Sequence, residues 1–155
     1  MATEIERKFL VTSDEYRQLA NPIHYKQGYI SNDPEFIKRV RVAGEKAYVT
    51  VKSKNIGITR SEFEQETPIE EAIEMLEKID DAKIIEKYRY KIEYAGKVWE
   101  VDEFLGANKG LVVAEIELNS ESESFEKPHW IGVEVSEDSR YYNSNLCCHP
   151  FNEWK

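Results

Sequence analysis

The segment TEIERKFLV, residues 3–11, alternates between two kinds of side chain before any turn signal appears in the chain. One side of an extended backbone would present the charged residues Glu4, Glu6 and Lys8. The opposite side would carry Ile5, Arg7 and Phe9. Strict alternation over this length predicts a half-buried β-strand. A solvated face explains the charged row of a single strand, so its meaning depends on the other strands.

Seven further segments are predicted to form strands: HYKQGYI, FIKRVRVAG, KAYVTVKSK, ITRSEFEQE, IIEKYRYKIEYA, VWEVDEFLG and LVVAEIELN. Because turns join most of them, the sequence favours an antiparallel sheet or barrel with few helices. Sorting each strand by alternate positions again gives an apolar face and a charged face. The charged faces include Arg39, Arg41, Lys52, Arg60, Glu62, Lys87, Arg89, Glu100, Asp102, Glu115 and Glu117.

One amphipathic helix is predicted in TPIEEAIEMLEKID, residues 67–80. Thr67 is its expected N-cap, and Pro68 suits the first helical position. Its apolar stripe at helical spacing must cover an apolar surface and comprises Ile69, Ala72, Ile73, Leu76 and Ile79. Shorter helical pieces are expected in SESESFEKP and in SEDSRYYNSNLCC near the end of the chain.

The charged faces consist almost entirely of Glu, Arg and Lys, whereas solvated faces usually mix charges with uncharged polar residues. Whole strands carry one sign, so like charges lie about 7 Å apart along a strand, which costs free energy unless a counter-charge lies opposite. Closing the sheet into a barrel would bury these charges, which is costly unless a bound ligand supplies charge of both signs. A metal ion with a polyanion is such a ligand. Exposure to solvent remains the alternative for any single strand.

The length of 155 residues predicts a single domain, residues 1–155. The formal net charge of −9 argues against a sequence-independent nucleic-acid binder, which needs a positive field. No apolar run approaches the length of a membrane span, and the charged N-terminus is not a signal peptide. The two cysteines, Cys147 and Cys148, are neighbours that rarely form a disulfide, so we expect a reduced, cytoplasmic setting.

Carboxylates on strands without a His or Cys partner suit a hard cation such as Mg²⁺ or Mn²⁺. The three histidines, His24, His129 and His149, lack ligand spacing. Arg-x-Arg and Lys-x-Arg pairs suit phosphate oxygens, because guanidinium groups bind them in bidentate fashion. The number of charges exceeds what one phosphate needs and fits a chain of phosphates with one or two metal ions. No Gly-x4-Gly-Lys-Ser/Thr phosphate loop occurs.

These motifs, in this order, resemble the CYTH or triphosphate tunnel metalloenzyme superfamily. The resemblance begins with the Glu-x-Glu-x-Lys of EIERKFLV and extends from Glu4 to Asn143. It continues through QGYI, KRVRV, VTVKSK, TRSEFEQE, EKYRY, VDEF, AEIEL and GVEVSEDSRYYN. Within the superfamily, the chain most resembles short bacterial inorganic tripolyphosphatases.

The resemblance implies a fold of the α+β class, mainly antiparallel β. Eight strands would close into a barrel with a hydrophilic lumen that holds a triphosphate, and a few helices would pack outside. The implied metal ligands are Glu4, Glu6, Asp102, Glu115 and Glu117. The implied phosphate-binding residues are Lys8, Arg39, Arg41, Lys52, Lys87 and Arg89. The resemblance also implies a role for Lys87 in proton transfer. It implies that Glu4 and Glu6 are catalytic residues because they would bind the metal. Members often place a basic residue of a C-terminal helix at one tunnel mouth, and Arg140 is the candidate here.

The predicted function is metal-dependent hydrolysis of inorganic tripolyphosphate to pyrophosphate and phosphate. A class IV-type adenylyl cyclase that converts ATP to cyclic AMP and a thiamine triphosphatase are alternatives on the same fold. A non-catalytic polyphosphate or nucleotide-binding module is a further alternative, although two Glu-x-Glu pairs favour an enzyme. The expected partner is a small-molecule triphosphate, and a homodimer is left open. The tail CCHPFNEWK could pack on the barrel, close the tunnel or meet another subunit.

Overall fold

The computed structural model describes residues 2–33, 35–54 and 56–154. In these residues the first five strands are β1 (Ala2–Val11), β2 (Ile23–Asp33), β3 (Phe36–Ala43), β4 (Lys46–Ser53) and β5 (Thr59–Thr67). The remaining strands are β6 (Ile84–Tyr94), β7 (Lys97–Phe104), β8 (Val112–Glu117) and β9 (Ile131–Glu134). Two α-helices, α1 (Ile69–Glu77) and α2 (Asn143–Leu146), accompany short 3₁₀ turns at Glu15–Gln18, Asp81–Lys83, Gly106–Asn108, Ser139–Tyr141 and Phe151–Glu153.

Eight antiparallel strands close into a barrel in the order β5-β4-β3-β2-β6-β7-β8-β1. Closure depends on β1, whose residues 2–5 pair with β5 while residues 6–10 pair with β8. The ninth strand, β9, joins β1 near Phe9 and Val11, beyond the segment paired with β5. The predicted barrel is thus confirmed, with β9 as an addition. Ile131–Glu134 is too short for its alternation to be recognised in the sequence.

The apolar faces of the strands lie on the outside of the barrel, where other segments cover them. One cluster packs around Trp99 and Phe9, both fully buried, under Tyr16 and Trp130 from the connecting segments. The alternation that puts Trp99 and Val101 outward directs the intervening positions of β7 toward the lumen. The apolar core therefore lies around the outside of the barrel. The charged faces of the strands line its lumen.

Helix α1 covers β3 and β4 with the predicted apolar stripe. Leu76 and Ala72 pack against Val40 and Ala47, whereas Ile73 remains 45% exposed. The helix begins at Ile69 with Pro68 as its N-cap, so the predictions of Thr67 as the cap and Pro68 as the first helical residue were each wrong by one position. Pro68 has no N–H to continue the ladder of β5, which ends at Thr67, and its non-helical ψ of 137° makes it the N-cap.

Gly28 on β2 permits close packing beside α1. A Cβ atom at this position would lie 2.7 Å from Cδ1 of Ile84 and 2.9 Å from Cδ1 of Ile79. These distances are shorter than van der Waals contacts, so a side chain here would force the ends of these two isoleucine side chains to move. The QGYI motif therefore includes a glycine with a packing role.

The predicted helix in SESESFEKP was wrong, because the structure shows a turn followed by irregular chain at residues 120–128. The carboxylate of Glu123 accepts a hydrogen bond from the Asn119 N–H at 2.6 Å, which favours a turn. Phe125 then packs edge-on against Trp99, with ring centroids 5.8 Å apart. Tertiary packing of this aromatic side chain holds the segment across the barrel.

The C-terminal tail packs on the barrel, the first of the three alternatives considered. The Phe151 N–H donates to Oδ1 of Asn108 at 2.8 Å, and the Phe151 ring packs against Trp154. Trp154 also stacks edge-on against Tyr141, which anchors the segment after α2.

Within residues 2–33, 35–54 and 56–154, no helix has both the length and the apolar character needed to span a membrane.

Candidate active site

The lumen of the barrel is a cavity of about 330 Å³ lined mainly by charged side chains. Alternate positions of the strands point into it, as the sequence pattern requires. It brings together all but two of the predicted site residues. Those that line it are Glu4, Glu6, Lys8, Arg39, Arg41, Lys52, Lys87, Arg89, Glu115 and Glu117. The two exceptions are Asp102 and Arg140.

Several of the lumenal cations pair with lumenal carboxylates. Nζ of Lys8 lies 2.8 Å from Glu115 and 3.3 Å from Glu6. Nζ of Lys52 lies 3.1 Å from Glu4, which also accepts from Nε of Arg60 at 3.2 Å. Such pairing offsets the cost of taking these charges out of water.

Asp102 is on the lumenal face of β7 but is covered by the two cations that it neutralises, Arg89 and Lys87. It is 1% exposed and accepts from Nε and Nη2 of Arg89 at 2.7 and 2.9 Å. Nζ of Lys87 lies 2.7 Å from its Oδ2. Burial raises the pKa of Asp102, but Arg89 and Lys87 together outweigh burial and lower it below its ordinary value. Both carboxylate oxygens are thereby occupied by cations of the chain.

Arg39 and Arg41 have no carboxylate partner in the described part of the chain. Arg39 donates from Nη2 to Oγ1 of Thr50 at 3.3 Å, while its buried Nε has no hydrogen-bond partner. Arg41 donates from Nε to the amide oxygen of Gln27 at 3.0 Å. Burial, followed by the neighbouring charges of Arg39 and Arg89, lowers the pKa of Arg41 to about 10. Two lumenal guanidinium groups, one buried and one half-buried, therefore lack a counter-charge among the described residues.

Glu6 and Glu117 form the opposite kind of site, because carboxylates there face one another. Their Cα atoms are partners across the β1–β8 ladder. Burial and then Glu115 raise the pKa of Glu6, and Lys8 only partly opposes them. Burial, followed by Glu4 and Glu6, raises the pKa of Glu117. The Glu6 and Glu117 pair therefore favours a cation, whereas Arg39 and Arg41 favour an anion.

A family model described as the CYTH domain matches residues 2–145. The chain belongs to the CYTH domain family. An inorganic triphosphatase of Acetivibrio thermocellus is 52% identical over 155 residues, covering 100% of this chain and 99% of that protein. An inorganic triphosphatase of Nitrosomonas europaea is 36% identical over 148 residues, covering 93% of this CYTH chain and 96% of that protein.

Solved structures share the barrel of this CYTH domain. The crystal structure of an inorganic triphosphatase superposes with a TM-score of 0.65 at 34% identity, covering 95% of each chain. A protein from Pyrococcus furiosus superposes with a TM-score of 0.58 at 22% identity, covering 77% of this chain and 80% of that one. The second likeness shows the fold alone. The family resemblance seen in the sequence is confirmed.

The family implies a divalent metal, and the donor chemistry of this CYTH domain fits one. Oxygen ligands from carboxylates are those that hard divalent cations prefer. Glu6 and Glu117 have raised pKa values because of burial and neighbouring carboxylates, and a bound cation would relieve that repulsion. Within residues 2–33, 35–54 and 56–154, no three His, Cys, Asp or Glu side chains already form a cluster that could hold a metal. These residues therefore fit a divalent metal through the chemistry of their carboxylate oxygens.

Lys87 is the most enclosed cation of the CYTH lumen, with 0% exposure. Its Nζ contacts Asp102 and donates to Oδ1 of Asn143, the first residue of α2, at 2.9 Å. Burial, together with Arg89 and Arg41, outweighs the opposing effect of Asp102 and lowers the pKa of Lys87 to about 7. Its amine can therefore gain or lose a proton near neutral pH.

Arg140 does not reach the lumen of the CYTH domain. It is exposed, donates from Nη2 to Asp138 at 2.7 Å and lies 4.9 Å from the centre of the Trp154 ring. The neighbouring carboxylate and the aromatic tail hold it outside. Residues 142–144 line the cavity instead. Arg140 therefore lies apart from the other predicted site residues.

Several lining residues were not among the predicted site residues. They are Tyr25, Tyr29, Tyr48, Arg60, Glu62, Glu64, Lys91, Glu100, Ser136 and Asn143, with apolar residues between them. The alternation in TRSEFEQE and VWEVDEF already placed Arg60, Glu62 and Glu100 on charged faces. Tyr25 and Tyr29 lie two residues either side of Gln27, so the period of two in HYKQGYI would have identified them.

Proposed function

We propose that this chain hydrolyses inorganic triphosphate to pyrophosphate and phosphate within its barrel lumen, with the help of Mg²⁺ or Mn²⁺. The observation that carries the proposal is the pair of lumenal guanidinium groups of Arg39 and Arg41, which have no counter-charge among the described residues. A polyanion is the ligand that supplies the missing charge, because guanidinium groups bind phosphate oxygens strongly. The two inorganic triphosphatases similar over nearly the whole chain support the substrate class.

The cations of the lumen would bind and orient the phosphate chain. Arg39 and Arg41 have free hydrogen-bonding capacity, while Arg89 and Lys8 are already held in place by carboxylates. In phosphoryl transfer, charge builds up on the phosphate oxygens as the bond to the leaving group lengthens. Donors that are fixed beforehand stabilise that charge without reorganising during the reaction.

Glu6 and Glu117 would hold the divalent metal, with Glu4 and Glu115 as further candidate ligands. When bound, such an ion neutralises phosphate charge and acidifies water. We assign proton transfer to Nζ of Lys87, whose pKa of about 7 allows it to accept a proton from the attacking water at neutral pH. Asp102 would hold Lys87 and Arg89 in position, so we do not include it among the metal ligands. Arg140 pairs with Asp138, and we do not include it among the phosphate ligands.

The test is a product assay with tripolyphosphate, ATP and thiamine triphosphate, each with Mg²⁺ and with Mn²⁺. We expect phosphate release from tripolyphosphate and no cyclic nucleotide from ATP. Glu4→Gln and Glu117→Gln should each abolish metal-dependent release while circular dichroism shows an unchanged fold. Glu74→Gln, at a 69% exposed side chain on α1, is the matched control and should retain activity. Full activity in both lumenal variants would refute the metal assignment, and cyclic AMP formation would refute the reaction.

A further inference from the structure

The ring of Tyr25 lies among three cations in the wall of the lumen. Cζ of Arg89 is 4.7 Å and Cζ of Arg41 is 4.9 Å from the centre of the ring. Nζ of Lys87 lies 6.0 Å from the same point. All three distances are within the range at which a cation is attracted to the negative face of an aromatic ring. Tyr25 itself is buried and lines the cavity.

The strand register explains why one ring reaches both guanidinium groups. Tyr25 on β2 is the Cα partner of Ala43 on β3 and of Lys87 on β6. Arg41 precedes Ala43 by two residues, and Arg89 follows Lys87 by two, so both are diagonal neighbours on the lumenal face. Diagonal pairs are within reach of aromatic and long side chains. The small side chain of Ala43 leaves space for the ring directly opposite.

The two arginines differ in what else holds them. Arg89 is fixed by a bidentate interaction with Asp102. The side chain of Arg41 has the amide oxygen of Gln27 as its hydrogen-bond acceptor, and burial together with Arg39 and Arg89 lowers its pKa to about 10. Without an anion in the lumen, a neighbouring guanidinium would repel Arg41. An aromatic face between them attracts both and leaves their N–H groups available.

We propose that Tyr25 is a positioning residue, which holds the guanidinium groups of Arg41 and Arg89 around one ring so that both are preorganised for a triphosphate. This inference rests on the proposed function of the lumen. Groups that are already ordered lose less entropy when the ligand binds, so the ring would increase affinity without touching the reacting atoms. The aromatic face carries this role, and the hydroxyl group does not contribute.

The test compares Tyr25→Leu, which removes the ring, with Tyr25→Phe, which keeps it. Isothermal titration calorimetry with tripolyphosphate in metal-free buffer gives Kd, and steady-state assays give KM and kcat. For Tyr25→Leu we expect Kd and KM to rise about tenfold, while kcat changes less than about twofold. Tyr25→Phe should restore both constants to the wild-type range. Tyr88→Leu removes a 36% exposed ring from the outer face of β6 and should leave Kd unchanged.

Replacing residue 25 by fluorinated phenylalanines tests the same point if the leucine variant does not fold. Fluorine withdraws charge from the ring face with little change of shape, so Kd should rise with each added fluorine. An unchanged Kd in the leucine variant or across the fluorinated series would refute the proposal, as would an equal loss in the phenylalanine variant. If the wild-type chain releases no phosphate from tripolyphosphate, the proposed function fails, whereas the metal-free Kd values still decide the role of Tyr25.

Discussion

At the scale of single residues, the charges in the lumen differ in whether the chain itself neutralises them. Lys8, Lys52 and Arg89 are paired with carboxylates at 2.7 to 3.1 Å. Arg39 and Arg41 form no ion pair within the described residues. Paired residues should therefore contribute to stability as well as to binding, whereas the two unpaired arginines should contribute to binding alone.

Arg39→Ala and Arg41→Ala should weaken triphosphate binding without destabilising the protein. Each removes one charge-assisted contact, so we expect KM for tripolyphosphate to rise about 10- to 100-fold. The melting temperature without ligand should stay constant or rise, because a buried charge without a partner has been removed. Lys26→Ala, at an exposed side chain of β2, is the control for losing a cation. An unchanged KM in both variants would contradict the assignment of the anion site.

Asp102→Asn should destabilise the protein even without metal. The substitution leaves Arg89 and Lys87 buried without a full counter-charge, which we expect to lower the free energy of unfolding by about 3 kcal/mol. Urea denaturation of the metal-free protein measures this, with Glu93→Gln at an exposed position of β6 as the control. A metal ligand that is free in the absence of the ion would show no such loss. A change below about 1 kcal/mol would therefore contradict the positioning role.

Glu117→Gln should stabilise the metal-free protein at alkaline pH. Burial, Glu4 and Glu6 raise the pKa of Glu117, so its ionised form is less favourable in the folded state than in the unfolded chain. This penalty is present above the folded-state pKa and disappears as the pH falls toward the ordinary value. The variant should melt above wild type at about pH 8, and the difference should shrink at about pH 5. A lower melting temperature at the higher pH would contradict the stated repulsion.

At the scale of elements, the two faces of each strand have different tasks. The outer faces provide the apolar core under α1 and the connecting segments, and the inner faces provide the site. Substitutions on the outside should therefore affect stability and leave the binding constants unchanged. The interface between α1 and the β3–β4 pair gives the simplest comparison, because one helix carries a buried and an exposed aliphatic residue.

Leu76→Ala should lower the free energy of unfolding by about 2 to 4 kcal/mol, because it removes a side chain packed on Val40 and Ala47. Ile73→Ala, on the same helix but 45% exposed, should cost less than about 1 kcal/mol. Denaturant titration measures both, and KM for tripolyphosphate should match wild type in each folded variant. Equal losses of stability would show that α1 does not cover the barrel as described.

The alternation in the sequence predicted the eight barrel strands and the division of residues between their faces. It could not show which face points inward, because a period of two is the same for either side of a sheet. The family resemblance supplied the closure, which β1 achieves through its pairing with β5. The sequence missed β9, which is too short to show alternation, and wrongly predicted a helix where Phe125 packs on Trp99.

The candidate site was predictable wherever charges alternate regularly along a strand. Asp102 shares the lumenal parity of Glu100 but is enclosed by Arg89 and Lys87, which depends on side-chain geometry that spacing cannot reveal. Arg140 was expected at the tunnel mouth, and its contacts with Asp138 and Trp154 hold it outside. Asn143 contacts Lys87 instead; it is the last residue of the GVEVSEDSRYYN motif, but the motif assigned no role to its amide.

At the scale of the whole molecule, one cavity of about 330 Å³ contains both the proposed anion-binding arginines and the proposed metal-binding carboxylates. The net charge of −9 does not prevent binding of a polyanion, because the unpaired guanidinium groups lie inside the lumen. The free-energy cost of burying a charge is offset where ion pairs form. The remaining cost falls on charges that a bound ligand can neutralise. The central claim is therefore that the lumen itself, and no outer surface, binds the triphosphate together with its metal.

Diffraction from crystals containing Mn²⁺ and a non-hydrolysable tripolyphosphate analogue tests that claim most directly. We predict the three phosphates inside the lumen, with phosphate oxygens within hydrogen-bond distance of Arg39 and Arg41. The anomalous signal of manganese should lie beside Glu6 and Glu117. An analogue bound on the outer surface of the barrel, with the lumen free of phosphate and manganese, would contradict the account.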